Sequence, residues 1–340
     1  MDANGADLGA AEVAEGAALA AAAGTRVLLF GPAAEIGAVP QGVRVVDAPT
    51  SIAKQPDPAL AVRSTPQASI VQATRAVAEG RADALVSGGS TGAAIAAGVF
   101  YVRRDRGIHR PALAVPIPVR GRHVLLLDVG ASAEARPEHL VQFAFMGAAF
   151  AHAVLGIDRP RVALLSNGGE PGRGTPAVVG AHERLSAHRA GADGMRFEGN
   201  VEGTDVLSGT VDVVVTDGFT GNIALKTIEG VSQSVVGAIR DAATASVRGR
   251  LGGLLLRSGL RGFREEIDPE RAGGAYLLGL RRVGVVAHGR FGRTGFSRAI
   301  EVAERAVRER VVERTHAALE AAGALRRASS ERPISVSAPS

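Results

Sequence analysis

The sequence predicts a doubly wound α/β protein with a mainly parallel sheet. Short apolar runs rich in Val, Leu and Ile alternate with helical stretches along most of the 340 residues. Four of those runs end in small, polar, glycine-rich loops, which is how βα turns read. The composition (46% hydrophobic, 44 Gly, 4% aromatic) suits a globular chain with many tight connections rather than a disordered one.

Taken in order, residues 1–7 read MDANGAD and look like a turn with no strand before it. Residues 12–23 are alanine-rich and predict a helix. Asp2, Asp7, Glu12 and Glu15 stand where a secretory signal needs basic residues, and no apolar run is long enough to span a bilayer. A soluble or peripheral protein is expected. Strands are predicted over 26–30 and 43–46, a proline-broken loop over 48–66, a helix over 68–79 and a strand over 82–86. An alanine-rich helix follows residue 92. Further strands are expected over 123–127, 162–165, 211–215 and 283–287, and a long helix over 137–155 with Pro137 in its first turn. A helix over 300–325 and a polar Ser/Pro tail over 326–340 complete the chain, which reads as a single domain over 1–325.

The stretch VDVVVTDGFTGNIALKTIEG (211–230) organises the rest. A buried strand enters a turn of Gly and small polar residues, and Ile223, Leu225, Ile228 and Val231 then recur at helical spacing. Such a turn aims unpaired N–H groups and the positive end of a helix at one spot, which suits a phosphate or an oxyanion. An ordinary βα turn explains the same residues. Lysine occurs only at Lys54 and Lys226, so 37 of the 39 basic residues are arginine, and Lys226 lies beside this turn. A compact ammonium is then expected to matter there, unless the position is chance.

The four loops contain Ser87-Gly88-Gly89-Ser90-Thr91-Gly92, Asp128 to Ser132, Ser166-Asn167-Gly168-Gly169-Glu170 and Asp217-Gly218-Phe219-Thr220-Gly221-Asn222. In a parallel sheet they converge on one edge and make an anion-binding cleft the expectation. None fits a P-loop or a GxGxxG dinucleotide fingerprint. The absence of Cys excludes a thiolate metal site, a disulfide framework and a cysteine nucleophile. The eight His residues show no metal-binding spacing, and no GxSxG elbow occurs. Direct attack between two bound substrates is therefore expected. His288, at the end of a strand, reads as a proton relay, a phosphate donor or a structural histidine. A net charge of +5 spread along the chain, with few aromatics, argues against nucleic-acid binding. Residues 248–267 form a basic amphipathic segment, with Leu256, Leu260, Phe263 and Ile267 among arginines. It suits an anionic membrane, an acidic protein or a subunit interface.

With these motifs in view, the chain resembles the bacterial PlsX family of acyl-carrier-protein:phosphate acyltransferases. The resemblance rests on VSGGSTGA (86–93), RPAL (110–113), LLDVGA (126–131), RPEHL (136–140), LLSNG (164–168), FEGNVEG (197–203), 213–230, GGA (273–275) and AHG (287–289). It covers nearly the whole chain. It implies an α/β/α sandwich like the isocitrate/isopropylmalate dehydrogenases, a homodimer, and membrane association beside a glycerol-3-phosphate acyltransferase. The implied reaction turns acyl-carrier protein and inorganic phosphate into acyl phosphate and free carrier protein, with no metal or organic cofactor. The 248–270 segment would sit at the periphery, facing membrane or carrier.

The mechanism expected for this reaction has N–H groups and hydroxyls of the 87–92 and 217–222 loops hold the phosphate while Lys226 or Arg173 offsets its charge. Asn200, Glu202, Asp217 and Asn222 orient the reactants, and His288 protonates the leaving thiolate. Asp2, Asp128, Asn167, Gly168 and Glu170 complete the site. The chain departs from the family pattern at several positions: a clipped opening strand, Ser90 for Asn, Arg173 for Lys, no lysine over 64–69, and Arg290 for Ser. Three rivals remain: a dehydrogenase of the same architecture, a phosphate acetyl- or butyryltransferase acting on a coenzyme A ester, and a non-catalytic membrane scaffold. The first needs an Asp cluster for a metal, which Asp128, Asp212 and Asp217 do not clearly supply.

Overall fold

Val213, Val214 and Val215 are fully buried because apolar layers cover both sides of the strand they form, β8 (Val213–Val215). The same holds for Leu125, Leu126 and Leu127 of β5 (Arg122–Leu127). Alternate residues of these strands feed two separate cores, one on each face of the sheet: Leu125, Leu127, Val213 and Val215 in one, Leu126 and Val214 in the other. Each such leucine stabilises the fold by roughly 1.5–3 kcal/mol. This computed structural model describes residues 1–119, 121–188, 194–246, 252 and 269–326.

The remaining strands are β1 (Val27–Gly31), β2 (Val43–Asp47), β3 (Ala84–Ser87), β4 (Ala112–Val119), β6 (Arg161–Leu165), β7 (Arg196–Val201), β9 (Ala275–Leu278) and β10 (Val283–Val286). Eight pair in the order β3-β10-β9-β4-β5-β8-β6-β7, and β1-β2 form a parallel pair beside them. Residues 1–3 join the two groups. Asp2 bridges Phe30 and Ser87 in parallel, and the Asp2 and Ala3 amides donate to the Val86 and Phe30 carbonyls. The opening segment, read locally as a turn, thus pairs in parallel between β1 and β3.

One core is covered by α1 (Ala10–Ala22), α6 (Pro137–Leu155), α7 (Pro176–Ser186), α10 (Arg293–Arg308) and α11 (Val311–Ala321). The other lies under α3 (Pro58–Ser64), α4 (Ser69–Ala78) and α5 (Thr91–Ala97), with the first turns of α8 (Gly218–Thr244) packed on it through Ala224, Leu225 and Ile228. Short helices α2 (Ala33–Ile36) and α9 (Pro269–Ala272) and a π-helical turn over Gly98–Val102 complete the described elements.

The expected α/β class and mainly parallel sheet are found, with three differences. First, β4, β7, β9 and α7 have no counterpart in the sequence reading, and α3, capped by Asp57, forms within the 48–66 stretch expected to be a loop. Pro116 and Pro118 hid β4. They are tolerated because beyond Ala114 that strand pairs with β5 alone, leaving one side open. Second, the helix expected over 300–325 is two helices. Arg310, at φ 53°, breaks the chain so that α11 folds back against α6. Third, β4 and β9 are antiparallel to their neighbours. They reverse the strand direction, so β1, β2, β3, β4 and β10 run one way and β5 to β9 the other. The register is staggered, so Val86, Val285, Tyr276, Ala114, Leu127, Val215 and Leu164 share one row and both groups of strands end at it. The loops therefore meet this common line from opposing directions: 87–92 and 287–289 from the edge of one group, 128–132, 166–170 and 217–222 from the edge of the other. The basic segment falls outside the described residues except for Gly252, as does the tail beyond Arg326.

Candidate active site

At the first edge, Ser87 and Asp2 meet. Ser87 Oγ donates to the buried Asp2 carboxylate at 3.1 Å, and Ser69 Oγ donates to its other oxygen at 2.6 Å. Burial pushes the Asp2 carboxyl up to about 6, against the pull of these hydroxyls. Gly88 and Gly89 are glycines because the opening segment lies against them: a Cβ on Gly89 would stand 2.4 Å from the Asn4 carbonyl oxygen. Ser90 caps α5 by accepting the Ala93 amide, leaving Thr91 and Gly92 in the first turn. Gly92 abuts Pro58, where an added methyl would be 2.9 Å from Cγ.

At the second edge, Asp128 organises the loop that follows β5. Its carboxylate accepts from the Leu113, Gly130, Ala131 and Ser132 amides and from Ser132 Oγ, all within 3.1 Å. Burial raises its pKa while these donors pull it back. Helix α8 starts against this loop. A Cβ on Gly218 would lie 2.3 Å from the Ser132 carbonyl oxygen, and one on Gly221 1.9 Å from that of Asp128. The turn read over 216–222 is therefore already helical from Gly218. Asp217 is its N-cap, accepting from the Thr220 amide and hydroxyl, both at 2.8 Å. Asn222 is exposed, and its Oδ1 lies 3.9 Å from where a Gly130 Cβ would be.

Beside α8, the loop after β6 carries Asn167, Gly168, Glu170 and Arg173. Arg173 and Glu170 pair at 3.5 Å on the surface, and Gly168 leaves room for them: a Cβ there would meet both side chains below 3 Å. Asn200, buried at the end of β7, donates its amide to the Glu170 carbonyl at 2.8 Å. Glu202 is exposed, and its backbone N–H donates to Asp205 at 2.9 Å.

The two edges are linked through α8. The helix leaves the second edge, lies over the core shared with α5, and carries Lys226 into electrostatic reach of His288 at the first edge. Burial lowers the His288 pKa most, and the Lys226 ammonium lowers it further, so the imidazole is neutral at pH 7. Lys226 is half-exposed and pairs with Glu229 at 2.7 Å. His288 Nδ1 accepts from the Arg290 amide and stacks on Phe291. The structure thus places Lys226 within electrostatic influence of His288, and Asp217 to Asn222 beside Asp128. It keeps Ser87 to Gly92 apart from Asp217 to Asn222 along the sheet. The sequence reading passed over Ser69 and Asn4, whose amide donates to Ser69 Oγ and Ala48 O. They come from distant segments, and no local spacing connects them. A cavity of about 430 Å³ opens between α7 and β7, bordered by Gly169 and Pro171 of the loop after β6 and by His182.

The fold is similar to that of solved phosphotransacylases. It aligns with a phosphotransacetylase from Streptococcus pyogenes at TM-score 0.58 and 17% identity, over 88% of this chain and 91% of that one. A branched-chain phosphotransacylase from Enterococcus faecalis aligns at 0.55 and 14%, over 89% and 97%. Those identities speak to the fold alone. The chain belongs to the fatty acid synthesis protein family, whose model matches residues 1–314. Among its relatives are proteins named phosphate acyltransferase. The one from Lacticaseibacillus casei is 44% identical over 77% of both chains, and the one from Pelotomaculum thermopropionicum 38% over 94% of both. That of Thermobifida fusca is 42% identical over 92% of this chain and 88% of its own.

Proposed function

We propose that this chain is a phosphate acyltransferase that moves an acyl group from acyl-carrier protein to inorganic phosphate. The observation that carries the proposal is that α8 brings the charge of Lys226, one of two lysines, to bear on the half-buried His288. The names of the relatives support the reaction class.

In this reading the phosphate dianion binds near the start of α8, with Lys226 released from Glu229 to face it and Arg173 on the neighbouring loop. A phosphate oxygen attacks the thioester carbonyl, the C–O bond forms and the C–S bond breaks. Neutral His288 takes the phosphate proton and hands it to the departing thiolate, so one proton moves and no redox partner is needed. Holding two reactants in line supplies roughly 7–11 kcal/mol of the barrier, and each donor to the oxyanion about 3–4 kcal/mol. Asp217 and Asn200 act by shaping the two loops rather than by touching the reacting atoms.

A homodimer belongs to the same proposal. Phe219, Ile223, Val231, Val235 and Ile239 recur at multiples of four along α8 and are exposed in the single chain. Peripheral membrane association also belongs to it, since the acyl phosphate is destined for a lipid-synthesising acyltransferase. No helix among the described residues is long and apolar enough to cross a membrane.

The test is to incubate the protein with palmitoyl-carrier protein and phosphate and trap acyl phosphate as a hydroxamate. Palmitoyl-CoA, acetyl-CoA, and NAD with a hydroxy acid serve as parallel substrates. Acyl phosphate from the carrier-protein thioester is expected. Turnover of a coenzyme A ester alone, or of none, would overturn the assignment.

A further inference from the structure

The loop that carries Glu170 and Arg173 is held by a relay that begins on α7. Asn200 Nδ2 donates to the Glu170 carbonyl at 2.8 Å and to the Arg173 carbonyl at 3.3 Å. Those two bonds use both amide hydrogens and decide which way the side chain is turned. Its Oδ1 therefore faces His182 Nδ1, 3.0 Å away. An amide oxygen only accepts, so Nδ1 must carry a proton.

His182 is fixed in turn. It is buried on α7, its ring stands edge-on to Phe197 at 5.3 Å between centroids, and Gly199 leaves space for it: a Cβ there would lie 3.4 Å from His182 Cε1. Gly199 also has φ +86°, which a side chain would strain.

We propose that His182 is a positioning residue for the transfer reaction. Its Nδ1–H locks the Asn200 amide, and the locked amide holds residues 170–173 so that Arg173 is presented to the phosphate. Without the donor the buried Asn200 Oδ1 is left unpaired, the amide is held on one side only, and its grip on the Glu170 and Arg173 carbonyls loosens. Protonation at Nε2 leaves the Nδ1 proton in place, so the relay survives it. The kinetic consequence rests on the proposed phosphate acyltransferase reading; the hydrogen-bond relay does not.

The test uses the full chain. In the wild-type protein, ¹⁵N spectra of the imidazole, assigned by the signal lost in His182→Asn, should show a protonated Nδ1 between about pH 6 and 8. His182→Phe keeps the ring and its contact with Phe197 but removes the donor. It should speed amide hydrogen exchange across residues 166–174 by about tenfold and raise KM for phosphate about tenfold, with KM for the acyl-carrier protein within about twofold of wild type. His182→Asn, whose amide can replace Nδ1–H, should restore both to within about threefold.

An unprotonated Nδ1 in the wild type, unchanged exchange in His182→Phe, or an Asn variant no better than Phe would each overturn the proposal. Should His182→Phe fail to fold, the wild-type spectrum still decides. If the wild type makes no acyl phosphate, the functional reading falls, while spectrum and exchange continue to judge the relay.

Discussion

Gly221 and the Asp128 carbonyl approach so closely that a methyl group on the glycine would sit 1.9 Å from the oxygen. Helix α8 can begin beneath the 128–132 loop only because this residue has no side chain. The contact sets where Asn222, Lys226 and the rest of the helix are delivered.

Gly221→Ala should therefore displace the start of α8, lowering acyl phosphate formation by at least about tenfold and thermal stability by about 2 kcal/mol. Gly230→Ala, in the same helix, meets nothing within 4 Å. It should raise stability by about 0.5–1 kcal/mol through helix propensity alone. Thermal melts of both variants check the contrast, and equal effects would refute the packing argument.

Asp128→Asn replaces one accepting oxygen by an NH₂ group that faces donors. With five donors converging on the carboxylate, at least one buried N–H or hydroxyl loses its partner. A loss of at least about 2 kcal/mol is expected in denaturant unfolding.

Lys226→Ala should cut turnover tenfold or more without a change in melting temperature, since its partner Glu229 is on the surface of the same helix. His288 has a lowered pKa, so its neutral form is lost only as pH falls below the ordinary histidine value of about 6.5. A rate profile should decline on that acid side, and His288→Gln should abolish the decline while lowering the rate about 100-fold.

Asp2 titrates at about 6 in the folded protein against 3.8 in the unfolded reference. The native state then binds more protons between those values, so this group's contribution to stability is fully present below pH 3.8 and is lost as pH rises through about 6. Its ceiling is about 3 kcal/mol. The stability of Asp2→Asn relative to wild type should accordingly grow between about pH 4 and 7. A difference that stays flat in calorimetry would contradict the burial argument.

Replacing Val231 and Val235 by Asp should leave the melting curve of the isolated subunit intact and shift the protein from dimer to monomer in sedimentation. A dimer that persists would remove α8 as the interface.

Much of this protein was legible in its residues. Strand cores such as Val213 to Val215 and the bounds of α6 follow from local chemistry, because buried β-branched runs, a first-turn proline and small polar loops each carry their own signature. The family follows from the runs around Asn200 and Asp217. Strand direction does not. The prolines of β4 conceal a strand whose antiparallel pairing is a long-range event, and that pairing makes the predicted loops approach one row of the sheet from opposing directions. The charge of Lys226 felt at His288, the five donors on Asp128 and the relay from His182 likewise join residues distant in the chain. Such contacts depend on where whole helices are laid across a twisted sheet, and only the assembled tertiary structure settles that.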